Sequence, residues 1–422
     1  MIQRKRVAAQ FAWVSAGRVV AAVLQALVLA LVARSVSPAE FGVLGVFLGV
    51  ATVAQTVIDM GVATFIIRER SARPDSGDIA LAMRFNWYSS LALCGLTAVT
   101  LAVVALTVSP VWWLILPLAI WIGAERNADA RISIALADGD AKINVLNLVG
   151  RRLLATAVLV VLVWGGVDGI LAYSVALAIA AVLSSVFANM YVRTRVSARS
   201  QSTYGELLRK SRPFWIHSVA TQSRNLDSAI VGAVAGATAA GYYTAGSRLT
   251  NPLRILPYSL ASVILPEATR AHVGGGSLRT AYFLTGAMGA ILTVVYLALI
   301  PFVPWLVVTV LGDDYAGAIA VIQIVLLGFP FAAGVSLVHA LLQAIGRKGV
   351  VATSSTVFAV VSLLSIGIAA TFWGSVGAAI ALSASTVAQF FYLLIWFVVV
   401  SMLTKRGGQL SSDLPAEVLS ND

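Results

Sequence analysis

The sequence predicts an all-α polytopic membrane protein, with about twelve transmembrane helices in two parallel six-helix repeats around a central cavity. Three observations lead there. Of 422 residues, 59% are hydrophobic and only 11% are charged, with a mean hydropathy of +0.91; no soluble core hides that much apolar surface. Apolar runs recur from end to end, each near the roughly 20 residues that cross about 30 Å of hydrocarbon. The breaks between runs alternate between segments carrying Lys and Arg and segments carrying none.

The first run, 11–33, follows Arg4, Lys5 and Arg6. That basic start resembles a signal peptide, but the run exceeds the roughly 7 to 15 residues of such a segment and a second run follows at once, so it is read as a retained span. The polar stretch Ser35-Val36-Ser37-Pro38-Ala39-Glu40 makes a tight break before the second run, 41–67. Runs at 81–106, 112–136, 145–164 and 168–192 complete the first set of six. The second set is 213–236, 241–268, 280–306, 317–344, 350–372 and 375–401.

The two sets match in spacing at an offset of about 200 residues: 11 with 213, 41 with 241, 81 with 280 and 145 with 350. An even number of helices per half leaves both halves the same way up, hence a parallel repeat. The domains are then a bundle at 1–192, a basic linker at 193–212, a second bundle at 213–404 and a tail at 405–422, polar and expected to be disordered. Within the linker, Tyr204 to Lys210 is a candidate short helix on the membrane surface. Of 29 Lys and Arg, only Arg34 falls in a predicted loop of the uncharged side, which places both termini in the cytoplasm.

Several function classes are excluded or made poor. The net charge of +11 would suggest nucleic acid in a soluble chain, but here the cations flank spans, so no nucleic-acid partner is expected. A single cysteine, Cys94, rules out an internal disulfide and is too little for a cysteine metal site. There is no GxxxxGK[ST] loop, and the outer loops are too short for catalytic segments. The chain is read as a non-enzyme without cofactor or metal.

Polar residues inside spans are costly, so those at helical spacing are the candidate site. Ser15, Arg18, Ala22 and Gln25 share a face of the first span; Thr52, Gln55, Thr56 and Asp59 share one of the second. Thr221, Arg224, Asn225 and Ser228 do the same on the seventh, and Thr244, Ser247, Arg248, Asn251, Arg254 and Tyr258 on the eighth. The polar faces thus concentrate on corresponding spans of the two halves. With Arg18, Arg224, Arg248 and Arg254 set against Asp59 and Asp227, the balance is cationic and favours an anionic ligand, phosphate above all.

Each charge also has a plainer reading. Arg18 either snorkels to the surface or faces the cavity; Arg224 either pairs with Asp227 or holds ligand. Arg254 sits near mid-span between Pro252 and Pro257, which would break the helix around it, and is the strongest single candidate. Asp59 either caps its helix locally or works in transport. Glu125 and Asp129 either take up a proton or pair with Arg126, Arg151 or Arg152, and His339 is either a proton relay or simply packed.

Arg34-Ser35-Val36-Ser37-Pro38-Ala39-Glu40-Phe41-Gly42, then Asp59-Met60-Gly61 and Arg68, resemble the N-terminal signature of polysaccharide-biosynthesis (Wzx-type) flippases. Those belong to the multidrug/oligosaccharidyl-lipid/polysaccharide exporter superfamily. Leu311-Gly312-Asp313-Asp314-Tyr315-Ala316-Gly317-Ala318 and Gln343-Ala344-Ile345-Gly346-Arg347 are similar to that family's start and end of the tenth span. The resemblance implies a bacterial inner-membrane protein that moves an undecaprenyl-diphosphate-linked oligosaccharide between leaflets by rocking of the two halves. It implies the lipid-linked oligosaccharide and the bilayer as partners, with glycosyltransferases or a polymerase of the same pathway beside it. A cation-coupled drug exporter of the same superfamily, a membrane glycosyltransferase or polymerase, and a non-transporting scaffold are the alternatives.

Overall fold

In the computed structural model the chain is described over residues 2–196, 202–273 and 279–412. The first half is built from α1 (Ile2–Ser35), α2 (Pro38–Asp59), α3 (Val62–Ala72), α4 (Gly77–Thr107), α5 (Leu118–Ala137), α6 (Ala141–Trp164) and α7 (Gly169–Arg193). The second is built from α8 (Tyr204–Gln222), α9 (Asp227–Ala235), α10 (Ala237–Leu249), α11 (Asn251–Val273), α12 (Arg279–Leu299), α13 (Val303–Val310), α14 (Ala318–Ala344) and α15 (Lys348–Ser412). There is no strand among the described residues.

Eight stretches of the described residues are long and apolar enough to cross a membrane. One of them, Gly349–Val399, is 51 residues long and contains a backbone break at Trp373 and Gly374. Ser365 and Ser385 on either side of that break meet at 3.1 Å, so α15 folds back as a hairpin and crosses twice. The remaining crossings are α5, whose Glu125, Arg126, Asp129 and Arg131 lower its hydropathy, and the broken pairs α8 with α9 and α10 with α11. Twelve crossings result, in the order the sequence predicts. The helical path continues past Lys405, where the tail was expected to start, as far as Ser412; residues 413–422 lie outside the described residues, as do 197–201 of the linker.

The breaks have local causes. Helix α2 opens on a capping box: the Glu40 N–H donates to Ser37 Oγ at 3.3 Å, and the Ser37 N–H donates to Glu40 Oε2 at 2.9 Å, with Pro38 in the first turn. The second run, expected to be continuous over 41–67, is interrupted where Met60 and Gly61 take positive φ of 50° and 75°. Asp59 Oδ2 then accepts from the Ala63 N–H at 3.4 Å and caps α3. A side chain at Gly61 would meet the Ser211 carbonyl oxygen at 2.5 Å, because α8 crosses directly over the break.

Tyr204 to Lys210 are the first turns of α8, which passes through Pro213 into the seventh span, so the separate surface helix expected there is absent. Thr203 and Glu206 form its capping box. In the eighth span the break falls at Thr250, between α10 and α11, and α11 runs unbroken through Pro257. Pro257 has no N–H to offer the Leu253 carbonyl, and the Tyr296 hydroxyl of α12 supplies that hydrogen bond at 2.9 Å.

The two ends of the bundle differ in chemistry. At one end Arg70 makes a bidentate contact with Asp138 at 2.7 and 3.1 Å and donates to the Arg195 carbonyl, while Lys210 bonds Asp78 at 2.7 Å. The Asp138 hydrogen bond raises the Arg70 pKa above the ordinary arginine value. At the other end Arg34 donates to the Thr309 carbonyl, the Tyr315 hydroxyl to Val36 and the Tyr242 hydroxyl to Asp314.

The largest apolar cluster spans both halves at this second end, with Val32, Phe41 and Leu44 from one and Ala245, Val321 and Phe329 from the other. There α2 and α10 approach backbone to backbone: a side chain at Gly42 would meet the Ala237 carbonyl oxygen at 1.9 Å, and one at Gly241 the Pro38 carbonyl oxygen at 1.8 Å. The halves are therefore sealed at this second end.

Candidate functional site

Between the halves, on the charged-end side of that seal, lies a cavity of about 660 Å³ walled by α1, α6 and α11. Ser15, Arg18 and Gln25 enter from α1, Arg152 from α6, and Asn251 and Tyr258 from α11. A second cavity of about 140 Å³ extends into the second half and contains Arg224, Asn225, Asp227 and Arg254. Arg248, Asn251 and Tyr258 line both, so the two are adjoining chambers of one site.

Among the described residues, no carboxylate lies within 4.0 Å of Arg18, Arg224, Arg248 or Arg254. Arg224 donates to the Ser355 carbonyl and the Gln389 side chain, both at 3.4 Å, so its hydrogen-bond partners are neutral. Asp227 turns away from it and accepts from the Tyr243 hydroxyl at 3.1 Å and the Ser228 N–H at 2.6 Å. The Arg254 guanidinium lies over the Phe329 ring at 5.2 Å. The Nε atoms of Arg248 and Arg254 are buried with no hydrogen-bond partner.

A buried donor without acceptor is costly, and several unneutralised guanidinia in low dielectric are more so. Such an arrangement is suited to an anion with multiple oxygens, which accepts from several arginines at once and discharges them together. The backbone arranges this: Thr250 ends α10, and Pro252 in the first turn of α11 restarts the helix. Arg248 and Arg254 consequently flank a joint, with Asn251 between them.

The other candidates are placed elsewhere. Gln55, expected on the cavity face of the second span, instead donates to the Ile122 carbonyl at 2.9 Å inside the first half. Asp59 lies 3.9 Å from Arg126, which also donates to Ser90 and to the Asn86 and Ile58 carbonyls. Glu125 is bracketed by Arg151 at 3.3 Å and Arg152 at 3.0 Å, and Asp129 meets Arg151 at 2.9 Å. His339 contacts Ser354 at 3.2 Å in the second half. Asn225 lines the smaller cavity and donates to Gln222 at 2.7 Å.

Arg152 and Gln389 line the chambers and were not among the sequence candidates. Arg152 reaches the larger chamber while bonded to Glu125. Gln389, buried in the second arm of α15, faces Arg224. A lone amide in an apolar run is the signal that marks Gln389; nothing in the sequence distinguishes the cavity-facing Arg152 from its neighbour Arg151.

A family model described as polysaccharide biosynthesis protein matches residues 7–272. No curated protein matches the chain by sequence. Among solved structures, an inward-facing multidrug resistance MATE family transporter of the MOP superfamily gives a TM-score of 0.71 at 15% identity, over 91% of this chain and 96% of that one. The lipid II flippase MurJ in an inward closed conformation gives 0.70 at 12% identity, over 91% and 87%. A MOP superfamily transporter from Pyrococcus furiosus gives 0.64 at 13% identity, over 94% and 96%. The match over more than half its length, on a frame these transporters share, makes this chain a member of the polysaccharide biosynthesis protein family with the MOP superfamily transporter fold.

Proposed function

We propose that the protein translocates a lipid-linked oligosaccharide, carried on undecaprenyl diphosphate, across the bacterial inner membrane for surface polysaccharide biosynthesis. With both termini in the cytoplasm, the orientation that the distribution of Lys and Arg supports, the cavity would open toward that side and the glycine seam would close the periplasmic side. The observation that carries the reading is the convergence of Arg18, Arg224, Arg248 and Arg254 on one space with no carboxylate within 4.0 Å of them among the described residues. The diphosphate would occupy that space, the sugars the chamber around Gln25, Asn251 and Tyr258, and the lipid tail the bilayer. Rocking of the halves about the seam would then present the site to the other side, without covalent chemistry.

Family membership supports a polysaccharide precursor as cargo. A cation-coupled drug exporter would need free carboxylates facing the cavity, whereas Asp227, the one carboxylate lining the chambers, accepts from Tyr243 and Ser228, and Asp59, Glu125 and Asp129 are engaged by Arg126, Arg151 and Arg152. The test is a deletion strain. Lipid-linked oligosaccharide should accumulate in the cytoplasmic leaflet and surface glycan should be lost, with rescue by the wild type but not by Arg254→Ala. Normal surface glycan with altered drug sensitivity would overturn the proposal in favour of drug export.

A further inference from the structure

A third cavity, of about 490 Å³, lies on the outside of the first half, between α4, α5 and α7. None of its lining residues belongs to the two central chambers. Its walls are mostly apolar and face outward: Leu91, Ile120 and Val186 are each 50% exposed. In a membrane-spanning bundle such a groove is filled by lipid chains.

One charge stands in it. Arg131 is seven residues before Asp138, the C-cap of α5, hence about 10 Å from the charged end of the helix. At that depth an arginine gains by snorkelling outward to the headgroups. Arg131 does not. Its Nε donates to Asn127 Oδ1 at 3.0 Å, one turn deeper, and its Nη1 donates to Asn189 Oδ1 at 2.8 Å. Asn127 is itself fixed, donating to Ser185 at 2.7 Å and accepting from Asn86 at 3.2 Å. The guanidinium lies 6.0 Å from the centre of the Trp87 ring, at the mouth of the groove.

The partners holding Arg131 are all neutral, so its charge is not compensated by the protein. No carboxylate among the described residues lies within 4.0 Å of it, and its Nη2 has no hydrogen-bond partner among them. The neighbouring carboxylates at this end are otherwise engaged: Asp138 by Arg70, Asp140 by Tyr191 and Asp129 by Arg151. A cation oriented by amides, with donors spare, above an apolar trough is the arrangement that recognises a phosphate bearing acyl chains.

We infer that α4, α5 and α7 form a binding site for one anionic phospholipid of the charged-end leaflet. Its phosphate sits on Arg131 and Asn189, and one acyl chain lies in the trough between Leu91, Ile120 and Val186. The site is separate from the transport cavity and does not depend on what the cavity carries.

The test uses full-length protein in nanodiscs containing photoactivatable phosphatidylglycerol or photoactivatable phosphatidylcholine, with labelled peptides mapped by mass spectrometry. Label on the α4 and α7 groove should favour phosphatidylglycerol by about fivefold, the ratio one basic residue near an anionic surface supports. Arg131→Gln should abolish that preference, and Val186→Trp, which fills the trough while leaving the charge, should remove label from both lipids. Inorganic phosphate should not compete, since it lacks the chains. Equal labelling by the two lipids, or labelling unchanged in the variants, would overturn the inference. Should Arg131→Gln fail to fold, Asn189→Ala and Val186→Trp carry the same test from exposed positions.

Discussion

Gly42 of α2 and Gly241 of α10 face each other with no side chain between them: a Cβ on Gly42 would lie 2.7 Å from the Gly241 nitrogen. This contact seals the end that carries Arg34 and joins the two halves. Gly241→Leu is expected to prop the seam open, destabilise the protein by about 1–3 kcal/mol through overpacking, and abolish transport. Gly95→Ala, where a Cβ would meet nothing within 4 Å, serves as the neutral control. Thermal unfolding in detergent checks the first effect and surface glycan in a complemented deletion strain the second.

The Tyr296 hydroxyl stands in for the N–H that Pro257 lacks. Tyr296→Phe leaves the Leu253 carbonyl unsatisfied and should cost about 1–3 kcal/mol. Pro257→Ala restores a backbone donor, so in the double variant most of that loss should disappear. Unfolding midpoints of the four proteins of this cycle decide it; strictly additive losses would show that the hydroxyl has no such role.

Arg151 bridges Glu125 and Asp129 across α5 and α6. Arg151→Ala leaves Glu125 with Arg152 alone and removes the arginine from the half-exposed Asp129, and is expected to destabilise by about 1–3 kcal/mol. Glu125→Gln, which keeps the shape and still accepts from Arg152, should be milder and should retain transport per folded molecule. Loss of transport from well-folded Glu125→Gln would instead make this carboxylate part of the coupling machinery. Expression, unfolding and transport measured on the same preparations separate the two.

These sites show how far local sequence carries. The span count is legible because hydrocarbon thickness imposes a length on every crossing, and the alternation of Lys and Arg around Arg34 fixes which breaks share an end. The stripe Arg248, Asn251, Arg254 and Tyr258 is legible because helical spacing survives the joint at Thr250. Gln55 has the same spacing signature, yet it turns inward to Ile122, since nothing in a helical face says which neighbour it will meet. The break at Met60 and Gly61 depends on α8 lying across it, a contact made some 150 residues later in the chain. Arg131, held by two asparagines from different helices, is invisible for the same reason.

The central claim is that Arg248 and Arg254 hold a diphosphate. Neither has a carboxylate within 4.0 Å among the described residues, so Ala at both positions should leave the unfolding midpoint unchanged or raise it. The decisive measurement is leaflet exchange of a fluorescent polyprenyl-diphosphate oligosaccharide by purified protein in liposomes, wild type against Arg248→Ala/Arg254→Ala. The account predicts exchange by the wild type and a loss of about a hundredfold or more in the double variant, roughly what two charge-assisted contacts of 1.5–3 kcal/mol each would supply. Equal exchange by the two proteins would contradict it.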